Sequence, residues 1–404
     1  MKNLLYILLA ATFLSGCNNW LDVQPYDRVA EDVAFTSVKG FENALNGIYI
    51  EMNHTSLYGS YLSCEMIELM AQRYHVNEGT VYYHDLVEHQ YQGEMCRTRF
   101  ASIWEKIYNL IANINKLLEN CEKQRAVLSD DYYQLIKGEA LGLRAFLHFD
   151  IFRLFGPLYE PSDNVTRLPY YKIFSLNEHP RFAAEEFMNN VIADLREASN
   201  LLENDPIRTE GSWQENTYTF TSFRKMRLNW YAVQLLLARA ELYRGNKSDA
   251  LSAARNVIDA QEKWFSWVNR QNISSGKEDA DLVFFDEIVF GLRNSRVTRL
   301  YSSYFNGNTL SSEMLLAPLN SQILKIFENN RDDYRYVAFF STLLTAGSSA
   351  YNLFEKYKST VDSLSSNLMP MLRISEAYYI AAECEPGPEE GMQWLNQVLV
   401  HRGV

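Results

Sequence analysis

The hydrophobic pattern divides the chain into an apolar start and a series of helix-period segments. Leu4–Leu14 is an apolar run behind Met1-Lys2-Asn3. Eleven residues at about 1.5 Å each cover roughly 16 Å, half of a ~30 Å hydrocarbon core. That is the length of a signal-peptide core, not of a spanning helix. From Gly40 the apolar positions Phe41, Ala44, Leu45, Ile48 and Tyr49 predict a helix. Residues 74–97 are polar and aromatic without a period and predict a long loop. Phe100, Ile103, Trp104, Ile107, Leu110, Ile111, Ile114, Leu117 and Leu118 step by three and four and predict an amphipathic helix. Another is predicted over 130–155, opened by Ser129 as cap with Asp130-Asp131 in the first turn and stopped by Gly156-Pro157. Pro161, Pro169 and Pro180 then mark a connection, and 183–203 a further helix.

The second half of the chain reads as hairpins of helices. Met226–Arg244 ends at Gly245-Asn246, and the next helix begins at once with Ser248-Asp249 and runs to Gln261. Its small face, Ala250, Ala253 and Ala254, suits close packing on the preceding helix. Leu372–Cys384, a Pro386-Gly387-Pro388 turn and Glu389–His401 predict a similar pair. Such pairs resemble tetratricopeptide units, although no 34-residue self-match accompanies them. The fold class expected is mainly α, a tetratricopeptide-like helical repeat scaffold with an irregular, loop-rich ligand-binding face. Residues 263–310 break the pattern. Leu282–Phe285 and Glu287–Phe290 look like short strands, and Tyr301–Asn308 is an aromatic, turn-rich loop.

Composition narrows the function classes. With 38 Lys+Arg against 50 Asp+Glu in 404 residues, the net charge of −12 argues against nucleic acid as a partner. The apolar run is followed by Leu14-Ser15-Gly16-Cys17. This resembles a bacterial lipobox, so Cys17 is the expected lipidation site, with membrane attachment through the lipid anchor only. The other cysteines, Cys64, Cys96, Cys121 and Cys384, have no C-x-x-C or zinc spacing and are expected as buried free thiols. No metal site or cofactor is expected. His84 and His89 are five apart, the wrong spacing for two ligands on one helix face. No nucleophile elbow or phosphate-binding loop occurs, and adjacent acidic pairs such as Glu185-Glu186 read as helix N-terminal charge. No catalytic residue is assigned, and the chain is not expected to be an enzyme.

The aromatic content is high, with 26 Tyr, 22 Phe and 7 Trp. A sugar ring offers apolar C–H faces and a hydroxyl rim, which flat aromatic rings with polar edges match. Phe100, Trp104, Phe146, Phe149, Phe152, Trp230 and Tyr378 lie on periodic faces and belong to the core. Those in the irregular segments, among them Tyr82, Tyr83, Trp267 and Tyr304, are the candidate ligand-binding residues.

Several blocks together resemble the SusD/RagB family of outer-membrane lipoproteins. Trp20-Leu21-Asp22 follows Cys17 closely. Gly138–Gly156 is similar to the family's E-A-x-x-x-R-A helix, Asp194-Leu195 with Ala198 to its D-L-x-x-A helix, and Ala238–Ala250 to its repeat hairpin. Arg373–Glu383 resembles the R-x-x-E-x-Y-x-x-A-A-E helix, echoed by Leu395-Asn396 and His401-Arg402-Gly403. The resemblance implies a surface lipoprotein that captures oligosaccharides, or in some members peptides, and delivers them to a TonB-dependent outer-membrane transporter. The organisation it implies is a signal peptide over 1–16, a lipidated tether over 17–40, an N-terminal helical region over 41–225 and a repeat-bearing C-terminal region over 226–404. Family members usually continue past the last helix pair, so a truncated or short C-terminal variant is expected.

Overall fold

In a computed structural model of the chain, the structure describes residues 34–76, 83–175, 177–212, 219–273, 280–346, 349–358 and 365–404. Cys17, the predicted signal peptide and most of the tether lie outside them. Eight long helices carry the architecture. They are α1 (Val38–Met52), α2 (Glu94–Lys123), α3 (Asp130–Phe155), α4 (Ala184–Leu201), α5 (Trp230–Tyr243), α6 (Lys247–Ile258), α7 (Ile374–Cys384) and α8 (Pro388–Val400). From α2 onward each helix packs on the next in chain order, although a long excursion separates α6 from α7 in sequence. The two hairpins α5–α6 and α7–α8 therefore stack as neighbours, which is the expected repeat-like scaffold. Among the described residues no helix is long and apolar enough to cross a membrane.

Local sequence explains the helix ends. The Ser129 side chain accepts from the Tyr132 N–H, and Asp130 and Asp131 sit in the first turn of α3, where acidic side chains favour the helix dipole. The Asn229 and Asn246 side chains cap α5 and α6 in the same way. Between these two, Gly245 has φ +84°, a left-handed conformation in which glycine has no Cβ to clash. α2 begins at Glu94, earlier than the apolar period foretells, and the expected loop before it also contains a short helix, His84–Val87.

α3 is the centre of the molecule. Its residues Gly138–Phe152 are all buried, so no solvent stripe remains on that stretch. A Cβ at Gly142 would lie 2.4 Å from Leu228 Cδ2, so the missing side chain lets this helix approach the start of α5. The helix also buries charge. Arg224 bonds Asp205 through Nε and Nη2 (2.8 and 2.6 Å) and Glu139 through Nη1 (2.5 Å), with all three side chains fully enclosed. Arg144 grips Asp194 of α4 through Nε and Nη2 (2.7 and 2.8 Å) and also donates to Asn115 Oδ1 (2.9 Å). Tyr170 completes that cluster by donating to Asp194 (2.6 Å). Every buried charge here has a partner, the condition under which enclosure is tolerated.

The sheets are small. β1 (Leu168–Pro169) pairs with β2 (Arg181–Phe182). β3 (Ile288–Arg293) pairs antiparallel with β6 (Leu368–Arg373), which runs directly into α7. β4 (Leu343–Ala346) and β5 (Ser349–Asn352) form a hairpin. Of the two strands expected at 282–290, only the second exists, shifted to 288–293. Leu282–Phe285 turns instead because the Asp281 carboxylate accepts from the backbone N–H groups of Val283 (3.1 Å) and Phe285 (2.7 Å), and Phe284 takes φ +53°. Cys64, Cys96, Cys121 and Cys384 are buried free thiols. Phe146, Phe149, Phe152, Trp230 and Tyr378 are core residues, and Phe100 and Trp104 pack half-buried against it.

Candidate functional site

The excursion between β3 and β6 leaves a groove against the segment that follows α1. Residues 57–75 wind irregularly around the helix Met66–Met70. The His75 N–H bonds Ala317 O (3.0 Å), and Ser60 Oγ donates to the Tyr304 hydroxyl (2.9 Å), so two distant segments are joined at the back of the groove. Its outer wall is the helix Asn320–Ile326. The inner wall combines the helix Tyr334–Phe339 with the irregular segment that follows β5. Asp333 starts the Tyr334–Phe339 helix by accepting from the Arg335 N–H, and the backbone of Asn352 bonds Pro318 O (3.0 Å). The cavity has a volume of about 920 Å³, within the size range of small-ligand sites.

Four half-buried rings, Phe327, Phe339, Phe340 and Phe354, line this groove together with the buried Tyr357. They contact one another in a chain. Phe327–Phe340 centroids are 6.1 Å apart, Phe340–Phe354 5.4 Å and Phe354–Tyr357 5.9 Å. Phe305 supports the chain from beneath, 5.0 Å from Phe354. Ring faces held in this way offer flat apolar area at low entropic cost. Polar and charged groups accompany them: Glu68, Gln72, Arg73, Gln322, Lys325, Arg335 and Lys356.

The charges fall into two kinds. Arg73 pairs with Glu68 (3.1 Å), and Arg335 is clamped on Asp333 by two bonds (2.6 and 3.0 Å). Burial raises the Glu68 carboxyl above its ordinary range, with Arg73 and then Lys356 opposing. Lys356 is different. Its ammonium lies 5.5 Å from the Tyr357 ring centroid and 5.9 Å from that of Phe339. It makes no ion pair or hydrogen bond with any described side chain. Burial pulls it down to about 7, helped by the nearby Arg373 guanidinium and opposed by Glu68.

Lys356 and Tyr357, with Ser63, also line a second, smaller cavity of about 380 Å³. That cavity is polar. The Tyr58 hydroxyl donates to Asp150 Oδ2 (2.7 Å), Arg153 pairs with Asp150, and Arg239 holds Glu376 by two bonds (2.5 and 2.7 Å). Among the described residues no cluster of His, Cys, Asp and Glu could hold a metal ion. His84 instead faces Asp85, and His89 Nε2 meets Met70 O (2.9 Å).

The aromatics singled out from the sequence are dispersed. Tyr82 lies outside the described residues. Tyr83 is 3% exposed and precedes the short helix at 84–87. Trp267 stacks on His401 (centroids 4.9 Å, 17°) and touches Tyr378, which sets it in the seam of the last helix pair. Tyr304 is bonded to Ser60 behind the groove and pushed up to about 12 by burial. The groove rings were missed because they lie beyond residue 305. The available signal was the aromatic density of 327–357, where Phe339-Phe340, Phe354 and Tyr357 follow one another closely.

Comparison with known proteins bears on the whole molecule. Residues 19–216 match the SusD-like_3 family model, described as starch-binding associating with outer membrane. No curated protein matches the chain. Among solved structures, a SusD superfamily protein from Bacteroides thetaiotaomicron shares 20% identity at a TM-score of 0.65, over 91% of this chain and 80% of that one. Another from the same species reaches 0.68 at 13% identity, over 92% and 81%. A SusD-like carbohydrate binding protein from Bacteroides vulgatus gives 0.62 at 17%, over 91% and 76%.

Proposed function

Since the chain belongs to the SusD/RagB family, we propose that it is a cell-surface lipoprotein that captures oligosaccharides and delivers them to a partner TonB-dependent outer-membrane transporter. In this reading residues 1–16 are removed and Cys17 is acylated. Residues 17–40 tether the folded part, and 41–225 and 226–404 form its two helical regions. The role is binding and not catalysis. The helical stack presents the partner face, and the irregular face takes the ligand.

The observation that carries the reading is the row of half-buried rings at the bottom of a groove with polar edges. Phe340 and Phe354 would cover the C–H faces of successive sugar rings, and Gln72, Gln322 and Arg73 would meet their hydroxyls. Isothermal titration of the mature protein against an oligosaccharide series tests it. Phe340→Ala and Phe354→Ala are expected to weaken binding about tenfold each, equivalent to ~1.4 kcal/mol. Tyr82→Ala belongs in the same series as a proposed ligand contact. Unchanged affinity in both groove variants would remove the groove from the reading, and capture of peptides with no glycan would move it to peptide uptake.

A further inference from the structure

We propose that the occupant of this groove is an anionic oligosaccharide, one bearing carboxylate or sulfate groups, held by Lys356 with Lys325 at the rim. The inference rests on the carbohydrate-binding reading and names the ligand class. The whole chain carries a net −12, yet the groove is lined by four cations and one carboxylate. Counting Asp333, which neutralises Arg335 from behind, the local excess is still two positive charges. Those two are Lys325 and Lys356, since Arg73 and Arg335 are already paired.

Lys356 carries most of the argument. Its ammonium has three donors and no acceptor, and the half-buried side chain opens on both cavities, where those donors can meet a ligand. The buried Arg224 and Arg144 and the half-buried Arg239 meet carboxylates, and the buried Lys225 meets the backbone carbonyls of Phe285 and Asp286. In the groove Glu68 faces Arg73, so the lysine sits over two rings with no anion of its own. A ligand carboxylate or sulfate would supply it, while the sugar ring rests on Phe339 or Phe354. A neutral sugar could satisfy the donors but not the charge.

The groups facing Lys356 are Glu68 and Arg73 from the segment after α1, Arg373 from β6, and its neighbours Cys64 and Tyr357. Because burial holds the ammonium near 7, an anion can be gripped fully only below that pH. Above it, binding must first draw a proton from solvent.

Titration calorimetry of the mature protein with oligogalacturonides, sulfated carrageenan oligosaccharides and maltooligosaccharides tests the proposal at pH 6.5 and 8.5. At least one acidic probe is expected to bind at pH 6.5, tenfold or more above the neutral one. Its affinity is expected to fall at pH 8.5, with proton uptake revealed by buffers of different ionisation heat. The carboxylate and sulfate probes separate the two sources of charge. Lys356→Gln is expected to cost tenfold or more with the acidic probe and to abolish proton uptake. Lys325→Gln, at an exposed position, is expected to weaken binding severalfold and serves as a second variant that leaves the fold undisturbed. Preference for the neutral probe, or acidic binding indifferent to both substitutions, overturns the proposal while leaving carbohydrate capture standing. Binding of no glycan by the folded protein overturns both.

Discussion

The helical stack and the groove treat charge in opposite ways. In the stack, Arg224, Glu139 and Asp205 are wholly enclosed and mutually bonded, and Arg144 is matched by Asp194. In the groove, Lys356 is drawn toward neutrality by burial yet has no carboxylate of its own. A charge buried with its partner locks one arrangement of helices. A half-buried ammonium without one can gain from an incoming anion.

Breaking the stack should have the largest effect. Arg224→Ala leaves Asp205 enclosed without its counter-charge and Glu139 with Arg227 alone (3.5 Å), and is expected to cost about 3–5 kcal/mol, read as a lower urea midpoint. The opposite sign is expected in the groove. Lys356→Met removes an ammonium whose folded value is about 7 against about 10.4 in an unfolded chain. Between these values the unfolded state binds more protons, so the penalty is complete below about pH 7 and fades as pH rises toward 10. The variant should therefore melt above the parent at pH 6.5 and lose that advantage by pH 10. A lower melting temperature at pH 6.5 would break the comparison.

A smaller effect is expected from His148, which belongs to the stack. Its ring is buried, with Nδ1 bonded to Arg144 O (2.9 Å) and Nε2 accepting from the Tyr171 N–H (3.0 Å). Burial holds it down to about 3, against about 6.5 when unfolded. In that interval the unfolded state binds more protons, so stability should fall as pH drops from about 6.5 toward 3. His148→Gln should flatten part of that slope in acid melts. The smallest change is expected at the surface. Lys123→Ala removes an exposed i, i+4 partner of Glu119 and should shift stability by less than ~0.5 kcal/mol.

The stack was largely legible in the chain because its signals are local. Ser129, Asp130 and the run to Phe155 announce α3 within one stretch, and Gly245-Asn246 announces a hairpin. The two short strands expected at 282–290 show the limit of the same reasoning. Asp281 reaches two backbone N–H groups and turns the chain where apolar content alone favoured a strand. The groove was illegible for a different reason. Phe327, Phe340 and Phe354 meet only after the β4–β5 hairpin, the Leu319–Tyr351 bridge and the His75–Ala317 bond have folded distant segments together. The partnership of Arg224 with Glu139 and Asp205 was hidden likewise, since neither spacing carries a period.

The antiparallel pairing of β3 with β6 has a consequence for how such a molecule can vary. Residues 294–367 leave and re-enter the body side by side, as if through a clasp. Whatever happens to the length or content of that detour, its two ends return to the same place, and α7 begins from the same footing on α6. New contact surfaces can thus be tried on the detour while the stack beneath is left as it was.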